Sequence, residues 1–338
     1  MSKDRTEVHS RTDPRLVGKA ARLYYEYDLT HHEVATILNV SRVKITRLLQ
    51  QARREGVVVI RVNSDDSPFF ELEVALSRTL ELSEVIVVPS LSDRNKARQA
   101  LAHAVANYLQ RVIKDGTIVA IGLSQTVTLV PEFVFDPRPT AATFVAAVGG
   151  IRRGLAGMSP NRPIDQLAEL YNGVAKHLTG PAIAGTEEIA QALTGDPAIA
   201  RTLNEAAAAD IAVLGLGPVA GTVALLEQGE ITPVELNRVI EHGAVGDLAG
   251  RFFDHDGQPV DDEWNRRVVG LTLDQISRIP TRVVAAGGAE KAEAILAAVR
   301  GRLVSVLITD EHVAQALLEQ SQPPPAGRAK TPRSGGAG

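Results

Sequence analysis

Near the start of the chain the apolar positions recur at helical spacing, interrupted twice by turn chemistry. Leu16, Ala20, Leu23 and Tyr27 predict a first helix over Pro14 to Tyr27, with Asp13 as N-cap and Pro14 at the first helical position. Thr30 and Glu33 then stand three apart ahead of Val34, Ala35, Ile37 and Leu38, a capping box that predicts a short second helix. Asn39 and Val40 make a turn. Ser41 caps a third helix to about Glu55, whose apolar stripe is Ile45, Leu48, Leu49 and Ala52, and Gly56 stops it. The run Val57 to Val62 has strand character and could form a wing.

Beyond the polar stretch Asn63 to Ser67 and Pro68, a helix over Phe69 to Leu80 connects to a different pattern. Short apolar runs at Val85–Val88, Thr117–Ile121, Thr143–Val148, Ile211–Leu214, Thr281–Ala285 and Leu303–Ile308 alternate with helical segments such as Lys96–Lys114. Alternation of this kind predicts a parallel sheet covered by helices. The fold class is therefore α/β: a small winged helix-turn-helix domain over 13–62, then a doubly wound, mostly parallel, Rossmann-like sheet domain over 63–320. Ligands of such a sheet lie beyond the C-terminal strand ends, where the loops of this chain are glycine-rich. The tail 321–338, with three consecutive prolines and paired glycines, cannot bury a core and is expected to be disordered.

Composition sharpens this picture in two places. The 338 residues contain no cysteine, which removes disulfide frameworks, thiolate zinc sites and cysteine nucleophiles. The charged N-terminus has no apolar core, and no uninterrupted apolar stretch of about 18 residues follows, so a cytoplasmic protein without a membrane span is expected. Net charge is −4, but residues 1–61 hold twelve Lys and Arg against seven Asp and Glu, a balance of +5 that leaves −9 for the rest. A basic head on an acidic body is the asymmetry expected when one domain meets phosphates.

The third helix carries Arg42, Lys44, Arg47, Arg53 and Arg54 against the single acid Glu55. In a helix-turn-helix the N-terminal part of this helix reaches base edges, which nominates Ser41, Arg42, Lys44, Thr46 and Arg47 as readers of double-stranded DNA. Arg53 and Arg54 fall where contacts to backbone phosphates are expected. His31 and His32 lack a Cys or carboxylate spaced to complete a metal site, so no metal is expected.

Four loops of the large domain carry candidate chemistry. Gly122-Leu-Ser124-Gln125-Thr126 follows a strand where a helix begins, so backbone N–H groups, two hydroxyls and an amide can meet a ligand; an ordinary strand-to-helix turn has the same pattern. The segment from Gly215 through Gly217 to Gly221 superficially resembles a dinucleotide fingerprint, but its spacing is off by one residue and no acid closes a second strand, so no cofactor is expected. Asp247, between Gly246 and Gly250, can accept hydrogen bonds from sugar hydroxyls or simply cap a turn. Gly287 and Gly288 open a helix over Ala289 to Val299 with Lys291 in its first turn, a cation beside a helix N-terminus.

Taken together, the chain resembles the SorC family of bacterial sugar-responsive regulators from Asp13 to about Leu318, most clearly over 29–58, 243–262 and 285–318. The resemblance implies a winged-helix head on an effector domain similar to the glucosamine-6-phosphate deaminase and ribose-5-phosphate isomerase folds. It implies a homotetramer that regulates a carbohydrate or polyol catabolic operon, most often as a repressor, under control of a phosphosugar or related effector. By position it carries the phosphate loop onto Gly122 to Thr126, the effector carboxylate onto Asp247, and the later glycine-lysine element onto Gly287, Gly288 and Lys291. One departure stands out: relatives show a Gly-Trp-Gly-Arg-Thr type of loop, where this chain has Ser124 for a glycine and Gln125 for the cation. A neutral loop holds a dianion less tightly, which brings an unphosphorylated sugar or polyol into view. The rival reading is a phosphosugar isomerase or deaminase in which Asp247 works with His242 or His255 as acid and base.

Overall fold

The residues described by the computed structural model, 14–59, 67–122, 124–150, 161–219 and 231–321, fall into two units, Met1–Asp66 and Ser67–Gly338. The first contains α1 (Pro14–Tyr25), α2 (His31–Ile37) and α3 (Arg42–Arg54). The Thr30 hydroxyl accepts from the Glu33 N–H while the Glu33 carboxylate accepts from the Thr30 N–H, so α2 starts on a complete capping box. Asn39 takes φ +51, a left-handed turn that asparagine tolerates well, and the Ser41 hydroxyl caps α3 by accepting from the Lys44 N–H. Ile45, Leu48, Leu49 and Ala52 then pack on Val17, Ala20 and Ala21 of α1 and Val34 and Ala35 of α2.

Two details depart from the sequence reading. The first helix ends at Tyr25, because the chain reverses at Asp28 with φ +52 and leaves Tyr27 in solvent. Val57 to Val59 form no strand with any described residue, Val58 alone packing on the core. The remainder of the expected wing and Asp13 lie outside the described residues, as does the expected tail 321–338 except for Ser321, which closes a helix instead.

The strands of the second unit are β1 (Glu84–Val88), β2 (Ile118–Ile121), β3 (Thr143–Ala146), β4 (Val174–Lys176), β5 (Ile211–Pro218), β6 (Gly246–Leu248), β7 (Arg251–Phe253), β8 (Thr281–Ala285) and β9 (Val306–Asp310). Its helices are α4 (Phe70–Thr79), α5 (Arg94–Val112), α6 (Gln125–Leu129), α7 (Arg162–Leu170), α8 (Glu187–Gly195), α9 (Pro197–Ala207), α10 (Pro233–Glu241), α11 (Glu263–Arg267), α12 (Leu273–Arg278), α13 (Ala292–Arg300) and α14 (Glu311–Ser321). The main sheet runs β1-β9-β8-β5-β2-β3-β4 with parallel pairing throughout. Strand β9 is buried at every position, and its run Val306 to Ile308 is apolar throughout because helices cover both faces of a parallel sheet.

From β2 the chain winds outward through β3 to β4, then returns to β5 and winds the other way through β8 to β9. The order reverses between β2 and β5, and ligands of open α/β sheets bind in the crevice beyond that point. Strand β5 runs four residues past its expected end because Leu216 to Pro218 pair antiparallel with β6. The hairpin β6–β7 and strand β4 escape periodicity at three residues each.

Candidate functional site

The chemistry of the second unit converges at this reversal. Gly122 follows β2 and donates its N–H to the Val213 carbonyl at 2.9 Å, and Ser124 caps α6 by accepting from the Val127 N–H at 3.0 Å. Ser124 lies directly on β5: a Cβ at Gly215 would sit 2.2 Å from the Ser124 Cβ. Two residues on, where a strand again faces the same side, a Cβ at Gly217 would sit 2.3 Å from an Asp247 carboxylate oxygen. Gly217 and Asp247 are register partners across β5 and β6. The two glycines of β5 are thus spaces occupied by Ser124 and Asp247. Gln125 is half-buried beside them and Thr126 is buried.

The hairpin that carries Asp247 is firmly held. Ala249 and Gly250 both take positive φ, +50 and +80, the two-residue turn that matches strand twist. Behind it the Arg251 guanidinium donates to the carbonyls of Asn265, Val268, Gly270 and Leu271. The Trp264 indole N–H donates to the Gly250 carbonyl at 2.9 Å, and the Asn265 amide bonds both the N–H and the carbonyl of Phe252.

The third wall follows β8. Gly287 leaves room for Asp310, whose carboxylate a Cβ there would meet at 2.7 Å, and Gly288 turns at φ +103. Asp310, buried at the end of β9, accepts from the Gly288 N–H at 2.7 Å, from the Ser90 hydroxyl at 3.0 Å and from the Val313 N–H at 3.1 Å. The helix expected from Ala289 begins instead as a 3₁₀ turn, Ala289–Lys291, which puts Lys291 at the cap position of α13.

Asp247 and Lys291 feel one another without pairing. Burial pushes the Asp247 carboxyl up to about 6, with the Lys291 charge and the Gly250 N–H pulling it back. Burial draws the Lys291 ammonium down from its ordinary value; Glu290 and Asp247 oppose the shift, Arg98 adds to it and Asp310 opposes it. Among the described residues no ion pair joins Asp247 to Lys291. Two partly buried, opposite charges that form no ion pair with one another are each able to bond a hydroxyl, which accepts from Lys291 and donates to Asp247. Counted together, Lys291 and Arg98 face three carboxylates, an acidic balance that disfavours a dianion.

Other sequence candidates are not gathered here. The Gly215 to Pro218 segment is extended strand rather than a turn before a helix, so it has no dinucleotide-binding geometry. His242 lies 3.1 Å from Asp262 and His255 lies 3.3 Å from Glu293, so neither joins Asp247 as an acid–base pair. Open grooves lie along β1 and α5, about 410 Å³, and around Ser83, Arg282 and Ser305, about 740 Å³, away from the converging glycines. Sequence reasoning missed Asp310 and Arg98; the signal for Asp310 was its place at the C-terminal end of a parallel strand. Among the described residues no cluster of His, Asp and Glu can hold a metal ion, and no helix is long and apolar enough to cross a membrane.

In the first unit Ser41, Arg42, Lys44, Thr46, Arg47, Arg53 and Arg54 are all solvent-exposed. Arg53 is engaged within the unit: its Nε donates to the Tyr25 hydroxyl at 2.8 Å, with the guanidinium 5.8 Å above the ring centre.

Known proteins are similar to this chain in sequence and in fold. The model of the Sugar-bind family, a sugar-binding domain, matches residues 67–319. The transcriptional regulator LsrR of Enterobacter sp. (strain 638) is 30% identical over 314 residues, covering 91% of this chain and 94% of that protein. The deoxyribonucleoside regulator of Bacillus subtilis (strain 168) is 29% identical over 313 residues, covering 91% and 98%. Among solved structures, the sugar-binding domain of a transcriptional repressor from Vibrio fischeri superposes with a TM-score of 0.69 at 28% identity, covering 74% of this chain and 98% of that one. The full-length sorbitol operon regulator SorC of Klebsiella pneumoniae shares the fold with a TM-score of 0.68 at 24% identity, covering 90% and 98%.

Proposed function

Because the chain belongs to the SorC family of sugar-binding transcriptional regulators, we propose that its crevice binds an unphosphorylated sugar or polyol, and that this ligand controls how the basic helix α3 engages operator DNA. The observation that carries this reading is the separated pair Asp247 and Lys291 beside Gly122, Ser124, Gln125, Thr126, Gly217, Gly287 and Gly288. Such a pair can bridge vicinal hydroxyls. A dianionic phosphate finds less support: Gln125 carries no charge, and the Ser124 hydroxyl already accepts from the Val127 N–H at the start of α6.

The large domain acts in this proposal as a sensor rather than an enzyme; His242 and His255, the acid–base partners an enzyme reading would draw on, are engaged with Asp262 and Glu293 instead of Asp247. The DNA-binding domain corresponds to 13–62, the effector domain to 63–320, and the protein works in the cytoplasm as a homotetramer, with repression as the resting outcome. Effector and DNA sites are coupled, so an effector that weakens DNA binding is itself bound more weakly by the DNA-loaded protein.

Calorimetry with sugars and polyols, each beside its phosphate ester, tests the effector class. Saturable binding of the uncharged compound at comparable or higher affinity is expected; tight binding of phosphorylated compounds alone would overturn it.

A further inference from the structure

The exposed side of α3 is not uniform. With Ile45, Leu48, Leu49 and Ala52 buried, the positions diametrically opposite are Val43, Arg47, Gln50 and Arg54, spaced as one helical row. Arg42, Thr46 and Arg53 flank this row on one side; Lys44, Gln51 and Glu55 flank it on the other.

The flanks are occupied only in part: the Arg42 and Lys44 side chains have no partner among the described residues, whereas their neighbours on the same flanks are engaged. The Thr46 hydroxyl donates to the Arg42 carbonyl at 3.2 Å, the Gln51 amide donates to Glu55 at 2.8 Å, and Arg53 is held by Tyr25. Along the central row, directly opposite the buried stripe, no described residue engages the Arg47, Gln50 or Arg54 side chains, and Val43 stands 63% exposed in the first turn. A lone exposed valine is ordinary on a protein surface. Its place in an otherwise polar, unengaged row, opposite the core and flanked by cations, is what gives it meaning.

Resting on the DNA-binding reading above, we infer that Val43, Arg47 and Gln50 read bases in the major groove while Arg42 and Lys44 hold the flanking phosphates. The chemistry of each matches one base edge: an apolar side chain meets a thymine methyl, an arginine forks onto guanine, and a glutamine amide pairs with adenine. Arg54, at the far end of the row, falls where the helix leaves the groove and meets backbone. The N-terminal N–H groups of α3 and the cations beside them complement the phosphates on both sides of the groove. Val43 and Gln50 therefore set specificity, although neither is charged.

The test uses the full-length protein and a randomised duplex library to select a preferred site. The selected site and its single-base variants, including uracil in place of each thymine, are then titrated with wild type, Val43→Ala, Arg47→Ala, Gln50→Ala, Arg42→Ala and Lys44→Ala. Unchanged thermal melting confirms that these surface variants are folded. Arg47→Ala and Gln50→Ala are expected to lose roughly 5- to 150-fold of discrimination, each at its own base pair only. Uracil at one thymine costs wild type about threefold to fourfold, the worth of one buried methyl, and costs Val43→Ala nothing at that position. Arg42→Ala and Lys44→Ala weaken all duplexes alike and lower the salt slope by about 1 each. Base preferences that survive all three row substitutions, or that change with Arg42→Ala or Lys44→Ala instead, overturn the inference while leaving DNA binding standing. Failure of wild type to enrich any duplex overturns both.

Discussion

Replacing Asp247 with asparagine should stabilise the protein while removing its response to effector. The carboxyl titrates at about 6 against 3.8 for a free side chain, a shift of about two units, each worth about 1.4 kcal/mol. Ionised Asp247 therefore costs the folded state about 3 kcal/mol at neutral pH, and this figure already contains the attraction of Lys291. The sign follows from proton counting. Between about pH 4 and 6 the folded protein keeps a proton that the unfolded chain has lost, so stability falls as pH rises through that window. Below it the cost is absent; above it the cost is complete. Asparagine stays neutral throughout, so the variant should match wild type near pH 4 and exceed it by about 3 kcal/mol at pH 7.5. At about 2–4 °C per kcal/mol for a domain of this size, the melting temperature rises by roughly 6–12 °C. Thermal melts of both proteins from pH 4 to 8, with calorimetry against the effector panel, provide the assay. Loss of a hydrogen bond to a charged acceptor weakens effector binding by roughly 10- to 150-fold. A variant less stable than wild type at pH 7.5 would refute the reasoning, since the carboxylate would then be an anchor of the fold and not a strained binding group.

Three further outcomes follow from the same geometry. Lys291→Met removes the charge that pulls on Asp247, so the window of falling stability keeps its lower edge near pH 4 while its upper edge moves above about 6, and effector binding weakens in the same calorimetric assay. Gly217→Ala places a Cβ 2.3 Å from an Asp247 oxygen; the displaced carboxylate costs at least about tenfold in effector affinity, with about 1–3 kcal/mol of overpacking visible in denaturant unfolding. Arg251→Met leaves the carbonyls of Asn265, Val268, Gly270 and Leu271 without their donor, and unfolding in urea should show a loss of at least about 3 kcal/mol.

The parts of this molecule legible in its sequence are those whose determinants are local. The Thr30–Glu33 box, the Ser41 cap and the α3 stripe each lie within one or two helical turns, and all three form as the spacing implies. Strand β8 falls on its expected residues because Thr281 to Ala285 is a β-rich run bounded by Pro280 and the loop glycines. The crevice was legible only as separate loops. Ser124, Gly215, Asp247 and Gly287 are far apart in the chain, and it is the strand order that brings them together. The hairpin carrying Asp247 was hidden for two reasons: its strands are short, and its turn uses Ala249 at φ +50 where Asn-Gly is the recognisable signal. Arg53 shows the same limit from the other side. Its spacing suits a phosphate contact, but Tyr25, 28 residues earlier, takes up its guanidinium.

The bracing of the hairpin by Trp264 makes the protein its own spectroscopic probe. Trp264 is the only tryptophan of the chain, it is fully buried, and its indole N–H is tied to the Gly250 carbonyl at the turn that follows Asp247. Emission excited at the red edge of protein absorption therefore comes from a single site, adjoining the residue proposed to meet the effector. Occupancy can be followed by unlabelled fluorescence at low protein concentration, in the presence of DNA, with the five tyrosines left dark.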